Sequence, residues 1–190
     1  MARDTDSPGR LDGMEAPRDL DPVGTSFEKA FPTLFRRAQR LAYRILGDTT
    51  AAEDVAAEAL ARALVHWGRI SQLPYRDGWV LRVTTNLAFD ASRKQARRRQ
   101  VVLTDDVVPA SDEAVVLRSA LIAALGALPR RQREAIVLVH LVGLTPTEAA
   151  SAMHVSISSV GHHVRRAIDR LRQELPMSLV EPLALPEPAS

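Results

Sequence analysis

Apolar residues recur at helical spacing along two stretches of this chain, and nowhere alternate in the manner of a strand over a useful length. In the first stretch Leu34, Phe35, Ala38, Leu41, Ala42, Ile45 and Leu46 make one stripe, which Gly47 closes. Pro32, just after Phe27–Phe31, is read as a first-turn residue where the helix restarts. Asp48 or Thr49 caps a second helix, with Val55, Ala56, Ala59, Leu60, Ala63, Leu64 and Trp67 inward and Glu53, Asp54, Glu58 and Arg62 outward, ending at Gly68. A loop over 69–76 holds Pro74 and Tyr75. A third helix is predicted over 77–99, with Trp79, Val80, Val83, Leu87 and Ala91 as its inner row.

The second stretch is separated from the first by residues 100–112, which carry Pro109, several β-branched residues and an acid cluster but no helical period. Ser111 or Asp112 then caps a helix over 114–126, and Pro129 opens another to about Val142, closed by Gly143. Next comes a start signal of unusual completeness: Thr145 as cap, Pro146 at the first position and Glu148 at the third, the reciprocal capping box. This short helix ends near Met153. Ser156 caps its successor, in which Ile157, Val160, Val164, Ile168 and Leu171 face inward while Ser158, Ser159, His162, His163, Arg166 and Arg170 lie opposite.

Aromatics make up only 4% of the residues while hydrophobic residues reach 46%, so the cores are expected to be packed helices built from Ala, Leu and Val. The fold class predicted is all-α: two small helical domains, 27–99 and 113–175, joined by a flexible linker over 100–112, the second ending in a helix-turn-helix. Residues 1–26 read as a disordered acidic tail and 176–190 as a Pro-rich one.

The net charge of +2 conceals a division. The stretches 1–26, 104–118 and 176–190 carry −3, −3 and −2, which leaves +10 on the two helical blocks and points to a polyanion as partner. The abundance of arginine is also open to a blander account, since Lys29 and Lys94 are the only lysines and arginine is simply this chain's base.

Two short capped helices joined by a tight turn, the second polar and basic outside, suit a recognition helix in a major groove. The alternative is an ordinary helical hairpin with a solvated face, and Gly161 inside the second helix weakens it by about 1 kcal/mol relative to alanine. The outer row of the third helix is basic too. From Arg82 to Arg99, six bases face the single acid Asp90, with Asn86 and Gln95 among them; a solvated helix end is the competing account. Cysteine is absent, which excludes disulfides, thiolate zinc sites and cysteine nucleophiles. The histidines have no acidic or thiol partners completing a metal site, and the serines near them lack the groups acyl transfer needs. No enzyme, metal or cofactor is therefore expected. No apolar run approaches the roughly 20 residues that span a bilayer, and a cytoplasmic protein without membrane insertion is the expectation.

Two basic helical blocks, the second ending in a helix-turn-helix, resemble the extracytoplasmic-function (ECF) sigma factors, small members of the sigma-70 family that carry sigma domains 2 and 4 only. The resemblance covers nearly all of 27–175. AEDVAAEAL at 52–60 is similar to region 2.2, GWVLRVTTNLAFDASRKQARRR at 78–99 to regions 2.3 and 2.4, with Trp79, Asn86, Asp90 and Arg93 in matching places, and residues 128–172 to region 4. The resemblance implies a non-enzymatic factor that binds core RNA polymerase, recognises promoter DNA through its −35 and −10 elements and helps melt the latter. It implies polymerase docking by Asp54 and Glu58. It places −10 recognition near Tyr75 and Arg76 and on the outer face of the third helix, where Arg82, Asn86, Arg93 and Arg97 are the candidates. Unstacked bases need an aromatic for stacking and amide or guanidinium groups for their edges, which these residues supply. Trp67 and Trp79 are read as core. Ser158, Ser159, His162, His163 and Arg166 would face the −35 element.

The chain departs from the family pattern where Ala57 replaces a usual glutamine, Gly161 a usual lysine or arginine, and His162-His163 a usual Ser-Arg pair. The first bears on polymerase affinity. The others imply weaker or differently specified −35 binding, with some pH sensitivity near the histidine pKa of about 6.5. An anti-sigma protein is an expected partner. The acidic linker, with Asp105, Asp106, Asp112 and Glu113, is expected to follow the path of nascent RNA. The rival reading is a stand-alone helix-turn-helix regulator that binds duplex DNA without polymerase.

Overall fold

The computed structural model describes residues 26–102 and 113–176, and every regular element among them is helical. Helix α1 (Phe27–Leu46) runs through the exposed Pro32 and does not restart there. It ends as Gly47 turns left-handed at φ 71°, its amide donating to the Tyr43 carbonyl. Asp48 is the cap of α2 (Thr49–Val65), its carboxylate accepting from the Ala51 amide at 2.7 Å. The expected end at Gly68 is wrong. The break comes at His66, and Gly68 lies inside a one-turn helix, α3 (Trp67–Ile70). Leu64, expected inside, is 54% exposed near the end of α2.

Helix α4 (Arg76–Val102) runs three residues into the expected linker. The rest of that linker, with Asp105, Asp106 and Asp112, lies outside the described residues, as do the tail residues 1–25 and 177–190. Helix α5 (Glu113–Ala127) follows, then α6 (Arg130–Ile136). Regular α-helix stops six residues short of the expected Val142, because the chain passes into a π turn, Val137–Leu141, in which the Val142 amide reaches back five residues to the Val137 carbonyl at 3.0 Å. Gly143, at φ 83°, then redirects the chain. Helices α7 (Pro146–Met153) and α8 (Ile157–Glu174) complete it.

One core, between α1, α2 and α4, is rich in alanine: Ala30, Ala38, Ala56, Ala59 and Ala63 surround Leu34, Leu60, Ile70 and Val80. Small side chains let these axes come close. A second core crosses between the two halves of the chain, joining Leu41, Ile45, Leu81 and Phe89 to Leu125, Ile136, Leu138, Leu144 and Met153. Helix α4 is consequently buried on two sides. Beyond the expected inner row, Leu81, Thr84, Thr85, Ala88 and Phe89 are all buried. The threonines tolerate this because each hydroxyl donates to a carbonyl one turn back, Thr84 to Val80 at 2.9 Å and Thr85 to Leu81 at 2.8 Å.

Candidate nucleic-acid interface

The local chemistry of α7 and α8 fixes their relative placement. The Thr145 hydroxyl accepts from the Glu148 amide at 3.2 Å while the Glu148 carboxylate takes the Thr145 amide at 2.7 Å, so the capping box is complete. His154 closes α7 in the left-handed region, φ 54° and ψ 51°, and makes the tight turn. Ser156 then caps α8, accepting from the Ser159 amide at 3.2 Å. From α6, Arg131 donates to the Met153 carbonyl at 3.0 Å and secures the end of α7.

Val160, Val164, Ala167, Ile168 and Leu171 bury one face of α8. Ile157, expected with them, is 52% exposed in the first turn. Ser158, His162, Arg166 and Arg170 are exposed on the other face, with Ser159 and His163 at its edge, half-buried. The hydroxyls of Ser158 and Ser159 each lie within hydrogen-bond distance of the Ser156 hydroxyl, 2.9 and 2.8 Å. The rings of His162 and His163 meet edge to face at 5.9 Å. Burial first, then His162 and Arg131, push the His163 imidazole below its usual pKa, with Glu134 opposing, so a neutral ring at that position is favoured at neutral pH.

In the first half, Asp54 and Glu58 are exposed one turn apart on α2, and Glu58 accepts from Arg62 at 2.8 Å. Tyr75 is half-buried just before α4. Arg76 does not lie on a DNA-facing surface as expected: it is 2% exposed, with its guanidinium 5.7 Å above the Trp67 ring and beside Asp77. Trp79 is core, 7% exposed, and Trp67 is half-buried with its ring edge-on to Phe27 at 5.1 Å. Arg97 is exposed; Arg93 pairs with Asp90 and also donates to the Gly126 carbonyl at 3.3 Å.

Arg82 and Asn86 are half-buried, because the second half of the chain stands in front of them. Asn86 Nδ2 donates to Glu134 Oε1 at 2.7 Å. Burial lowers the Arg82 pKa, opposed by Glu134 and aided by Arg131 and Arg130. Glu134, Arg133 and Gly78 are the residues that sequence reasoning missed. The only signal for Glu134 was its spacing from Arg130 and Arg131, which marks a helix face but not a contact across the chain. Among the described residues no group of three or more His, Cys, Asp or Glu could hold a metal, and no helix is long and apolar enough to cross a membrane.

Two family models match this arrangement in order: "Sigma-70 region 2" over residues 33–98 and "Sigma-70, region 4" over residues 118–171. The chain is 34% identical over 148 residues to the ECF RNA polymerase sigma factor SigE of Mycolicibacterium smegmatis, covering 73% of this chain and 57% of that protein. It is 31% identical over 153 residues to the RNA polymerase sigma-E factor of Streptomyces avermitilis, covering 78% and 84% respectively. Among solved structures, CnrH in complex with the cytosolic domain of CnrY is similar, with TM-score 0.52, 25% identity and coverage of 77% of this chain and 87% of that one. The sigma factor RpoE of Bartonella quintana, solved with the anti-sigma factor NepR, shares the fold at TM-score 0.50 and 22% identity, covering 77% and 94%. The chain belongs to the ECF sigma factors of the sigma-70 family, the promoter-recognition factors of RNA polymerase.

Proposed function

We propose that this protein binds core RNA polymerase through the exposed Asp54 and Glu58, reads a −35 element with the outer face of α8, and reads and helps melt a −10 element with α4 and the loop before it. The observation that carries this reading is the two-faced character of α8: a buried apolar row beneath exposed Ser158, His162 and Arg166, on a helix whose start is capped and whose predecessor is pinned by Arg131. Such a face offers hydroxyl and imidazole groups to base edges and guanidinium groups to phosphates. Ser159 and His163 border the same face, and Arg166 and Arg170 supply the charge.

On α4, Arg82, Asn86, Arg93 and Arg97 are the proposed partners of the −10 strand, with Tyr75 available for base stacking. Arg76 acts from beneath, its guanidinium against Trp67 and Asp77, holding the loop that carries Tyr75. The factor itself performs no catalysis, requires no cofactor, and works in the cytoplasm beside polymerase and chromosome. An inhibitory partner protein of the kind solved with the Bartonella factor belongs to the same reading.

Run-off transcription with purified core polymerase and a library of upstream genomic fragments tests it. Fragment-specific transcripts should need the protein and vanish when Asp54 and Glu58 are both changed to Lys. Duplex binding without polymerase-dependent initiation would overturn the reading.

A further inference from the structure

An apolar cleft of about 430 Å³ opens where α1, α5 and the π turn meet. Leu121, Ile122 and Leu125 of α5 form one wall; Ile136, Val137 and Leu141, from the end of α6 and the π turn, form the other. Protein interiors seldom leave voids larger than a water molecule, whereas small-molecule sites run from about 300 to 1,000 Å³. The second wall runs through the π turn, a deviation from the α-helix that gathers at functional sites. His140 adds no charge there: burial pushes its imidazole below the usual histidine pKa, and its enclosed Nε2 has no hydrogen-bond partner among the described residues.

Charge stands at the rim. Arg44 and Arg118, both exposed, come from opposite halves of the chain and border the cleft beside Tyr43. Backbone carbonyls fix them in place: Arg44 Nη1 donates to the Leu141 carbonyl at 2.8 Å, and Arg118 Nη2 to the carbonyls of Tyr43 and Arg44 at 3.2 and 2.9 Å. Among the described residues neither guanidinium has a carboxylate partner. Each guanidinium carries five N–H donors, so most of them remain for another acceptor. Carbonyls orient the two groups without neutralising them, and like charges held at one rim favour an anion beside them.

We infer that this cleft is a binding site for an amphipathic anion, a medium-chain carboxylate whose apolar body lies between α5 and the π turn and whose headgroup meets Arg44 and Arg118. The apolar walls give a nucleic-acid strand or a metal ion nothing to hold, and a neutral hydrophobe would leave both charges uncompensated. None of the lining residues is a candidate for promoter or polymerase contact, so the inference stands apart from that assignment. Because α1 supplies one side of the rim and α5 with the π turn the rest, the ligand recognises the two halves only as they stand together. It stabilises that arrangement by mass action.

Calorimetric titration of the full chain with sodium octanoate, kept below its micelle concentration, tests the site. One site per chain should saturate, and octanol should bind about tenfold more weakly or worse, the difference a charge-assisted headgroup makes. Arg44→Gln with Arg118→Gln should weaken octanoate about tenfold or more and leave octanol unchanged. An equal fall for octanol would mean that the arginines only hold the walls together, and overturns the headgroup assignment. Leu121→Trp fills the cleft and should abolish binding of both compounds; if circular dichroism shows that this variant does not fold, the exposed arginine pair decides alone. Absence of saturable binding, or binding at several sites that neither variant changes, overturns the inference. So does octanoate binding that emerges only in Leu183→Ser with Leu185→Ser, which would give the cleft to the chain's own residues 177–190.

Discussion

Asn86 and Glu134 stand 48 residues apart in the chain, and their side chains meet at 2.7 Å across the boundary between its two halves. The amide is half-buried and the carboxylate is buried, so the bond forms away from bulk water. Asn86→Ala and Glu134→Ala should show a coupling of about 1 kcal/mol in a double-mutant cycle. Glu134→Ala alone should cost more, about 2–3 kcal/mol, because it also takes from Arg130 its carboxylate partner, leaves Arg131 only the Met153 carbonyl, and leaves Arg82 desolvated beside them. Urea unfolding of the four proteins measures both, and additive effects would show the bond to be energetically idle.

Phe89 belongs to both halves. It is 1% exposed, touches the position of Gly126 and lies under Arg133. Phe89→Ala should lose about 3–5 kcal/mol, and Phe89→Leu far less, since leucine retains much of the volume. Arg133 should lose its ring partner in both variants. A midpoint shift in Phe89→Ala no larger than in a surface substitution would contradict the shared core.

The capping box predicts a local effect with a functional readout. Thr145→Ala removes an acceptor for the Glu148 amide and a hydroxyl partner of its carboxylate, and should cost about 1 kcal/mol. Because α7 is only eight residues long, its fraying should also lower duplex affinity without altering which sequence is preferred. Circular dichroism melts combined with binding to a selected −35 duplex separate these two consequences.

Arg166, exposed on the outer face of α8, should act on phosphate. Arg166→Ala is expected to weaken binding to related and unrelated duplexes alike and to reduce the salt slope by about one. Ser158→Ala should instead relax preference at one base pair. A change of preferred sequence in Arg166→Ala would move that residue from phosphate to base contact.

His154 sits where the halves meet, and its pKa is lowered by burial first and then by Arg82, Arg69 and Arg131. A histidine with a lowered folded-state pKa binds fewer protons folded than unfolded, so stability is full above the unfolded value of about 6.5 and declines as pH falls below it. His140 and His163 are shifted the same way, by burial in each case as the largest cause. Urea midpoints should therefore drop between pH 7.5 and 5.5. His154→Asn, which tolerates the left-handed turn, should flatten part of that decline.

Much of this architecture was legible because it is written in local chemistry. Gly47, Asp48, Thr145, Glu148 and Ser156 mark helix ends by hydrogen bonds to near neighbours, and such signals survive without tertiary knowledge. What could not be read was the second buried side of α4. Thr84 and Thr85 look like solvent-facing residues in any hydropathy pattern, yet both satisfy their hydroxyls within the helix and are fully buried. Arg76 misled in the opposite way, since an arginine beside a tyrosine reads as a nucleic-acid contact until a tryptophan and an aspartate are found to enclose it. The candidate residues on α8 needed only helical spacing; those on α4 depended on what stands in front of them.

The π turn at Val137–Leu141 acts as an indexing device. A turn of this kind contains about one residue more than an α-helical turn, so everything downstream is swung round by about 100° relative to a regular continuation. After that swing and the reversal at Gly143, Leu144 arrives over Gly78 and the start of α7 comes to rest against α4. Deleting a single residue from this turn would aim α8 in another direction. The orientation of α8 relative to α4 is thus set by a count of residues in the π turn, at a point of the chain that lies between the two helices and belongs to neither.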